Sequence, residues 1–180
     1  IGKEISIGYD IIKMLDLDSI SVDDILVDHG FFKTDGIANI FRSILKNMKQ
    51  IEDINLKDLY DLSKIKLTVK VFNVTKKQLE YISYENNPEL SIITLAEMTT
   101  AIPFFFKPIK YKNKYYIDGG ILCMMPFIDI YKNYLGIHVH GSQKENIDDY
   151  DLFEFITYYC DCLTKKCKKK RISKRMIHIQ

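Results

Sequence analysis

An α/β fold, with a sheet that is at least partly parallel and helices flanking it, is what this sequence predicts. Three observations predict it. Apolar residues recur at helical spacing over 36–48, period-two alternation governs 65–71, and strand-like and helix-like segments alternate along the chain. With 180 residues, 47% of them hydrophobic and 28% charged, the chain carries apolar mass for one core and too little length for two. No internal repeat and no Pro/Gly/Ser-rich linker divides it.

The elements follow in order. Ile11, Ile12, Met14 and Leu15 recur at helical spacing, and Ser21 with Asp23 and Asp24 reads as the capped start of a short helix to Val27. Asp35 is placed to cap a helix over 36–48, where Ile37, Ile40, Phe41, Ile44 and Leu45 form one apolar stripe. A further short helix fits 56–62. From Ile65 the period changes to two, with Ile65, Leu67, Val69 and Val71 on one face of a strand and Lys66, Thr68 and Lys70 on the other. A turn over 73–77 leads into a second strand over 78–83, which completes a hairpin with Leu79, Tyr81 and Ser83 on one side. Pro88 opens a helix over 90–100, which must stop before Pro103 because the residue ahead of a proline avoids helical geometry. Residues 108–111 and 114–117 flank a Lys112-Asn113 turn as a second hairpin ending on Asp118. Residues 134–139 read as another strand, and Asp149 or Asp151 can cap a last helix carrying Phe153, Phe155, Ile156, Tyr159 and Leu163. In such a sheet the ligand site belongs at the carboxyl ends of the strands, which is where Asp118 falls.

Composition narrows the function classes. The longest nearly uncharged stretches, around 101–106 and 121–128, fall short of the roughly 18 to 20 apolar residues that cross a bilayer. The start, Ile1-Gly2-Lys3-Glu4, has no initiator Met and neither a signal-peptide nor a transit-peptide pattern, so a longer parent protein is expected. Cys123, Cys160, Cys162 and Cys167 do not make a disulfide scaffold, and a reducing cytoplasm fits them best. Their Cys-x-Cys-x4-Cys spacing lacks a zinc knuckle, and His138 with His140 is at most half a metal site; no cofactor and no metal are expected. Net charge is +2, but eight of the 26 basic residues lie in 165–175. The remaining 18 basic against 24 acidic side chains leave residues 1–164 at −6. The expected organisation is therefore one domain over 1–164 and a basic tail over 165–180. Lys165, Lys166, Lys168, Lys169, Lys170, Arg171, Lys174 and Arg175 read either as a solvated helix end or disordered tail or as a patch that an anionic membrane attracts; nucleic acid is the weaker candidate, since no recognition fold accompanies the tail.

Asp118-Gly119-Gly120 has two readings. The structural one is a turn, with Asp accepting local backbone bonds and Gly supplying backbone angles that other residues avoid. The functional one is a carboxylate held at a sheet edge, with the glycines allowing close approach of a substrate or another backbone. Spacing alone does not decide between them, but context does. The run Ala96-Glu97-Met98-Thr99-Thr100-Ala101-Ile102-Pro103, followed by Tyr115-Tyr116-Ile117-Asp118-Gly119-Gly120 and then Pro126, resembles the second half of the patatin-like phospholipase family. There a helix ends in small or hydroxyl residues before Ile-Pro, and a hairpin leads into an Asp-Gly-Gly or Asp-Gly-Ala box. Gly30-Phe31-Phe32-Lys33-Thr34-Asp35-Gly36 and the 69–75 strand also look like the family, and the similarity runs from about residue 7 to about residue 140.

The resemblance implies a lipid acyl hydrolase with a Ser-Asp dyad, in which Asp118 is the catalytic base and Gly119 and Gly120 support the motif. A lipid ester, phospholipid or acylglycerol, would be the substrate, and residues 1–164 would be a partial domain lacking its N-terminal part. Two departures matter. No Gly-x-Ser-x-Gly elbow and no Gly-rich oxyanion loop occur; in the near miss Glu4-Ile5-Ser6-Ile7-Gly8, Glu stands where the sharp turn needs glycine. The nucleophile is therefore expected upstream of residue 1, and residues 1–180 by themselves are expected to be inactive. After Asp118, Cys123-Met124-Met125 replaces the Asn that many members carry. Thr99 and Thr100 stand where Ser is common, and Phe104, Phe105, Phe106, Met124 and Met125 can line an acyl pocket or simply fill the core. The alternative to an enzyme is a non-catalytic patatin-like relic that binds lipid or membrane.

Overall fold

The structure, a computed structural model, describes residues 30–121, 136–139 and 176–179, with the single positions 146, 148, 150, 155, 158, 159 and 162. The helices read over 11–15 and 21–27, Ser6, Cys123, Met124, Met125, His140 and the basic cluster at 165–175 lie outside the described residues. So does most of the last helix, of which Phe155, Tyr158, Tyr159 and Cys162 are described and helical.

Strand β1 (Gly30–Phe32) leads directly into helix α1 (Asp35–Lys49). Asp35 is the first helical residue here and not its cap; Thr34 holds the cap position and makes no side-chain capping bond. Its hydroxyl instead donates to Glu97 Oε1 at 2.7 Å, which ties the start of α1 to a later helix. Helix α2 (Leu56–Ser63) is capped by Asn55, whose side chain accepts from the Asp58 N–H at 2.8 Å. Strands β2 (Thr68–Asn73) and β3 (Gln78–Ser83) form the expected hairpin in continuous antiparallel register. The strand read from Ile65 starts three residues later. Its partner β3 stops at Ser83, whose N–H goes to Asn86 Oδ1, so 65–67 have no ladder to join, and Ile65 stays 72% exposed.

Helix α3 (Ile92–Thr100) begins at Ser91, which accepts from the N–H groups of Ile93 and Thr94, and not at Pro88. The Pro88 carbonyl accepts from Lys57 N–H instead. Strands β4 (Phe104–Phe106), β5 (Ile109–Tyr111) and β6 (Lys114–Asp118) follow, with a 3-10 turn over Gly119–Ile121. The β5–β6 connection puts Lys112 and Asn113 at φ 46° and 59°, the left-handed pair that a two-residue hairpin loop requires for its twist. Strands β7 (Gly136–Val139) and β8 (Met176–Ile179) complete the set; β8 falls inside the segment read as a tail.

The fold is α/β, and the expectation of a partly parallel sheet is met by β1 with β4 and by β7 with β8. The four-stranded sheet that carries Asp118 is antiparallel, in the order β3-β2-β6-β5. Val71, Ile82 and Tyr116 project from one face of this sheet onto Leu95 and Met98 of α3, with Leu56 and Leu90 closing the cluster. Helix α3 is buried on several sides because α1 packs against it as well. A second cluster, Ala101, Phe105 and Phe106 with Phe32 and Ile37, joins β4 to β1 and α1, and Ile109 touches both clusters.

Phe104 breaks this pattern. It is 61% exposed and has φ 72°, a region that bulky residues avoid, while Phe105 and Phe106 are 8% and 7% exposed. Urea unfolding of Phe104→Gly should show a change between zero and about 1 kcal/mol of stabilisation, because glycine relieves the left-handed strain. Phe106→Ala should cost about 3 to 5 kcal/mol.

Candidate active site

Strand β6 ends on Asp118, and two contacts fix that end. Across the ladder, Asp118 is in register with Val71 of β2. On the other side, its backbone N–H donates to the carbonyl of Ala101 at 3.0 Å, just past the end of α3. Ala101 is fully buried and sits in the β4 cluster, so the helix end, β6 and β2 converge on one residue. The carboxyl-end rule for parallel sheets does not account for this position, since the sheet is antiparallel; the α3 terminus does.

The Asp118 carboxylate is partly buried, and its Oδ1 accepts from the Gly120 N–H at 2.8 Å. Loss of water around the ionised group raises its pKa above the ordinary 3.8; the Gly120 N–H and the positive charge of Lys70 oppose that rise without cancelling it. A carboxylate of this kind is more basic than a solvated one and holds its proton more readily, as a general base requires. Lys70 is itself 8% exposed, so its charge acts through poorly screening surroundings.

The two glycines serve close approach, and neither has a positive φ. A Cβ on Gly119 would lie 2.6 Å from the Lys70 carbonyl oxygen and 2.9 Å from the Val71 nitrogen, which are backbone atoms that cannot rotate away. A Cβ on Gly120 would stand 3.2 and 3.3 Å from the two carboxylate oxygens of Asp118. Gly119 thus lets β6 end against β2, and Gly120 leaves the carboxylate room. The turn reading holds for Asp118, which accepts a local backbone bond ahead of a 3-10 turn, but not for the glycines, where crowding takes the place of unusual backbone angles.

Other residues singled out from the sequence fall away from this centre. The hydroxyls of Thr99 and Thr100 both bond back to the Ala96 carbonyl, at 3.0 and 2.9 Å, and are spent inside the helix. Phe105 and Phe106 are core, which leaves Phe104 as the exposed aromatic of the three. Among the described residues, no three His, Cys, Asp or Glu side chains come together to hold a metal ion. A cavity of about 490 Å³ opens beside α2, but its wall carries Asp53, Asp58 and Glu89 and none of the Asp118 neighbours, so its charge and position both disfavour an anionic lipid. The contributions of Lys70 and the Ala101 carbonyl carried no sequence signal, because each depends on which strand and helix end up beside β6.

A buried polar knot lies two residues earlier on the same face. Burial and the neighbouring Glu80 push the Tyr116 phenol up to about 12, and Glu80 also accepts from Asn73 Nδ2 at 3.0 Å. Asn73 is fully buried, so this knot fixes the β2–β6 ladder just before Asp118.

A desolvated carboxylate braced by backbone at the end of a strand marks this α/β protein as one with a group suited to proton transfer. Comparison with known proteins is more specific. The sequence model described as Patatin-like phospholipase matches residues 8–130, and the chain belongs to the patatin-like phospholipase family. It is also 33% identical, over 145 residues, to a protein of Invertebrate iridescent virus 6 described as probable lipid hydrolase 463L. That match takes in 79% of this chain and 47% of the viral protein, so the chain spans about half the length of the curated relative it matches. No helix among the described residues is long and apolar enough to cross a membrane.

Two stability changes test this geometry by thermal denaturation. Gly119→Ala should cost on the order of 2 kcal/mol or more, because the β2 backbone must move, whereas Gly120→Ala should cost less. Asp118 has a raised folded-state pKa, so its ionised form weighs against the fold and stability falls as pH rises from 3.8 through the folded value. Asp118→Asn should therefore be at least as stable as the parent chain at pH 7, and the difference should close below pH 3.8.

Proposed function

We propose that this chain is the base-bearing part of a serine lipid acyl hydrolase working through a Ser-Asp dyad, with Asp118 as the general base. The observation that carries the proposal is a desolvated, backbone-braced carboxylate at the Asp-Gly-Gly box of a patatin-like phospholipase family member. Asp118 takes the proton of a serine hydroxyl, and the serine oxygen attacks the carbonyl carbon of a lipid ester. The proton then passes from Asp118 to the departing alcohol, which leaves an acyl-enzyme. Water attacks the acyl-enzyme, Asp118 accepts its proton, and the fatty acid and free serine are released. Charge stays on one carboxylate or one oxyanion throughout, and no histidine is needed.

The nucleophile is a serine in a segment upstream of residue 1, because no Gly-x-Ser-x-Gly elbow occurs within the 180 residues. Substrates are phospholipids or acylglycerols, in keeping with the family and with the description of the viral relative. The working compartment is the cytoplasm, with peripheral contact to anionic membrane through the basic residues at 165–175; the thiol content and that charge cluster support this placement.

The test has two arms. Residues 1–180 alone should turn over no p-nitrophenyl ester, since losing a nucleophile costs on the order of a millionfold. The gene product that includes the upstream segment should hydrolyse the ester and react with a fluorophosphonate at its elbow serine. In that protein Asp118→Asn should lower kcat by on the order of a thousandfold. The acid limb of the pH–rate profile should fall above pH 3.8, in keeping with the raised Asp118 pKa. Hydrolysis by residues 1–180 that depends on Asp118 would overturn the assignment of the nucleophile, and an active Asp118→Asn would overturn that of the base.

A further inference from the structure

The end of the four-stranded sheet opposite Asp118 has a composition unlike the rest of the molecule. The β2–β3 turn lies beside the start of β6: Val74 N–H donates to the Tyr115 carbonyl at 2.8 Å, and Tyr115 N–H donates to Thr75 Oγ1 at 3.0 Å. The β5–β6 turn at Lys112 and Asn113 is at the same end, because β6 runs away from it toward Asp118. This rim of the sheet therefore gathers Lys76 and Lys77 from the first turn with Lys112 from the second, flanked by Lys110 on one face of the β5–β6 hairpin and Lys114 on the other. Residues 74–79 and 107–117 contain no acidic residue at all, in a stretch 1–164 whose balance is −6. The nearest carboxylate, Glu80, lies 3.6 Å from Lys76 and is already engaged by Asn73 and Gln78.

Apolar and aromatic groups sit among these charges. Val74 is 38% exposed and Tyr115 46%, while Lys110 Nζ lies 5.9 Å from the Tyr115 ring centre and Lys112 Nζ 5.1 Å from that of Tyr111. Ammonium groups carried on long apolar stems, beside tyrosines with a polar tip, match a bilayer interface: phosphates pair with the lysines while the rings and Val74 enter the headgroup layer. Nucleic acid would be served by the charge but would gain nothing from Val74.

We propose that this end of the sheet, built from the two hairpin turns, is a docking surface for a bilayer rich in anionic phospholipid. It is built from residues other than those at 165–175 and does not depend on the catalytic reading, since docking can be measured with Asp118→Asn. Asp118 stands four residues along β6 from Lys114, about 14 Å away at the rise of an extended strand. Docking here holds the protein at the surface without occupying the base.

The experiment is sedimentation of the 180-residue chain with phosphatidylcholine vesicles, with and without about a third phosphatidylglycerol. Each lysine near an anionic surface contributes about fivefold to binding. The triple variant Lys77→Gln, Lys110→Gln, Lys112→Gln, all at exposed positions, should therefore partition on the order of a hundredfold less to the anionic vesicles, with an unchanged melting temperature. The matched variant Lys168→Gln, Lys169→Gln, Lys170→Gln should keep the Tyr115-dependent part of binding, and Tyr115→Ser should weaken binding without changing its salt dependence. Wild-type binding by the hairpin variant overturns the proposal, as does loss confined to the 168–170 variant. Equal binding to neutral vesicles overturns it too. A tighter, Tyr115-independent association with single-stranded DNA would assign the surface to nucleic acid instead. Self-association of the hairpin variant with vesicle binding intact would show that the lysines only guard the edge strand β5.

Discussion

The hydrogen bond from the Asp118 N–H to the Ala101 carbonyl joins the end of the four-stranded sheet's β6 to the end of α3, backbone to backbone. Helix α3 ends without a glycine, and the carbonyls of its last turn need donors. Ile102 N–H serves Thr100, and the strand bearing the carboxylate supplies the donor for Ala101. Because Ala101 is also packed against Phe105 and Phe106, the position of Asp118 depends on both hydrophobic clusters at once. Shifting either cluster moves the carboxylate.

Much of this was legible in the sequence. The β2–β3 and β5–β6 hairpins follow from period-two patterning and from turn residues, and both are local, so nothing distant could overrule them. The Ile-Pro and Asp-Gly-Gly pairing led to Asp118 because a proline stops a helix wherever it occurs. The failures were of another kind. Strands β1, β4 and β8 are three or four residues long, too short for any period to show, and each exists only because a partner far along the chain lies parallel to it. The helix caps went wrong where a plausible capping residue stood a few positions from the real one, as Asp35 did beside Thr34 and Pro88 before Ser91.

The site itself was half legible. A carboxylate followed by two glycines can be read from the sequence, but the reason for the glycines cannot. Gly119 is required by the Lys70 carbonyl, a group identical in every residue, whose position depends on the register of β2 against β6. The same register brings Lys70 close enough for its charge to bear on the Asp118 carboxyl.

The parallel pairing of Gly30 with Phe104 has a kinetic consequence. Those two residues are 74 positions apart, whereas each antiparallel hairpin closes over a few. Loop closure becomes entropically more demanding with separation, so the hairpins and the α3 contact can assemble while β1 and α1 are still free. The carboxylate, in register with Val71 and bonded through its N–H to Ala101, thus depends on closures shorter than the one between β1 and β4. The long closure, made between β1 and the strained start of β4, falls on the segment that follows α3 and on whatever precedes Gly30 in the polypeptide.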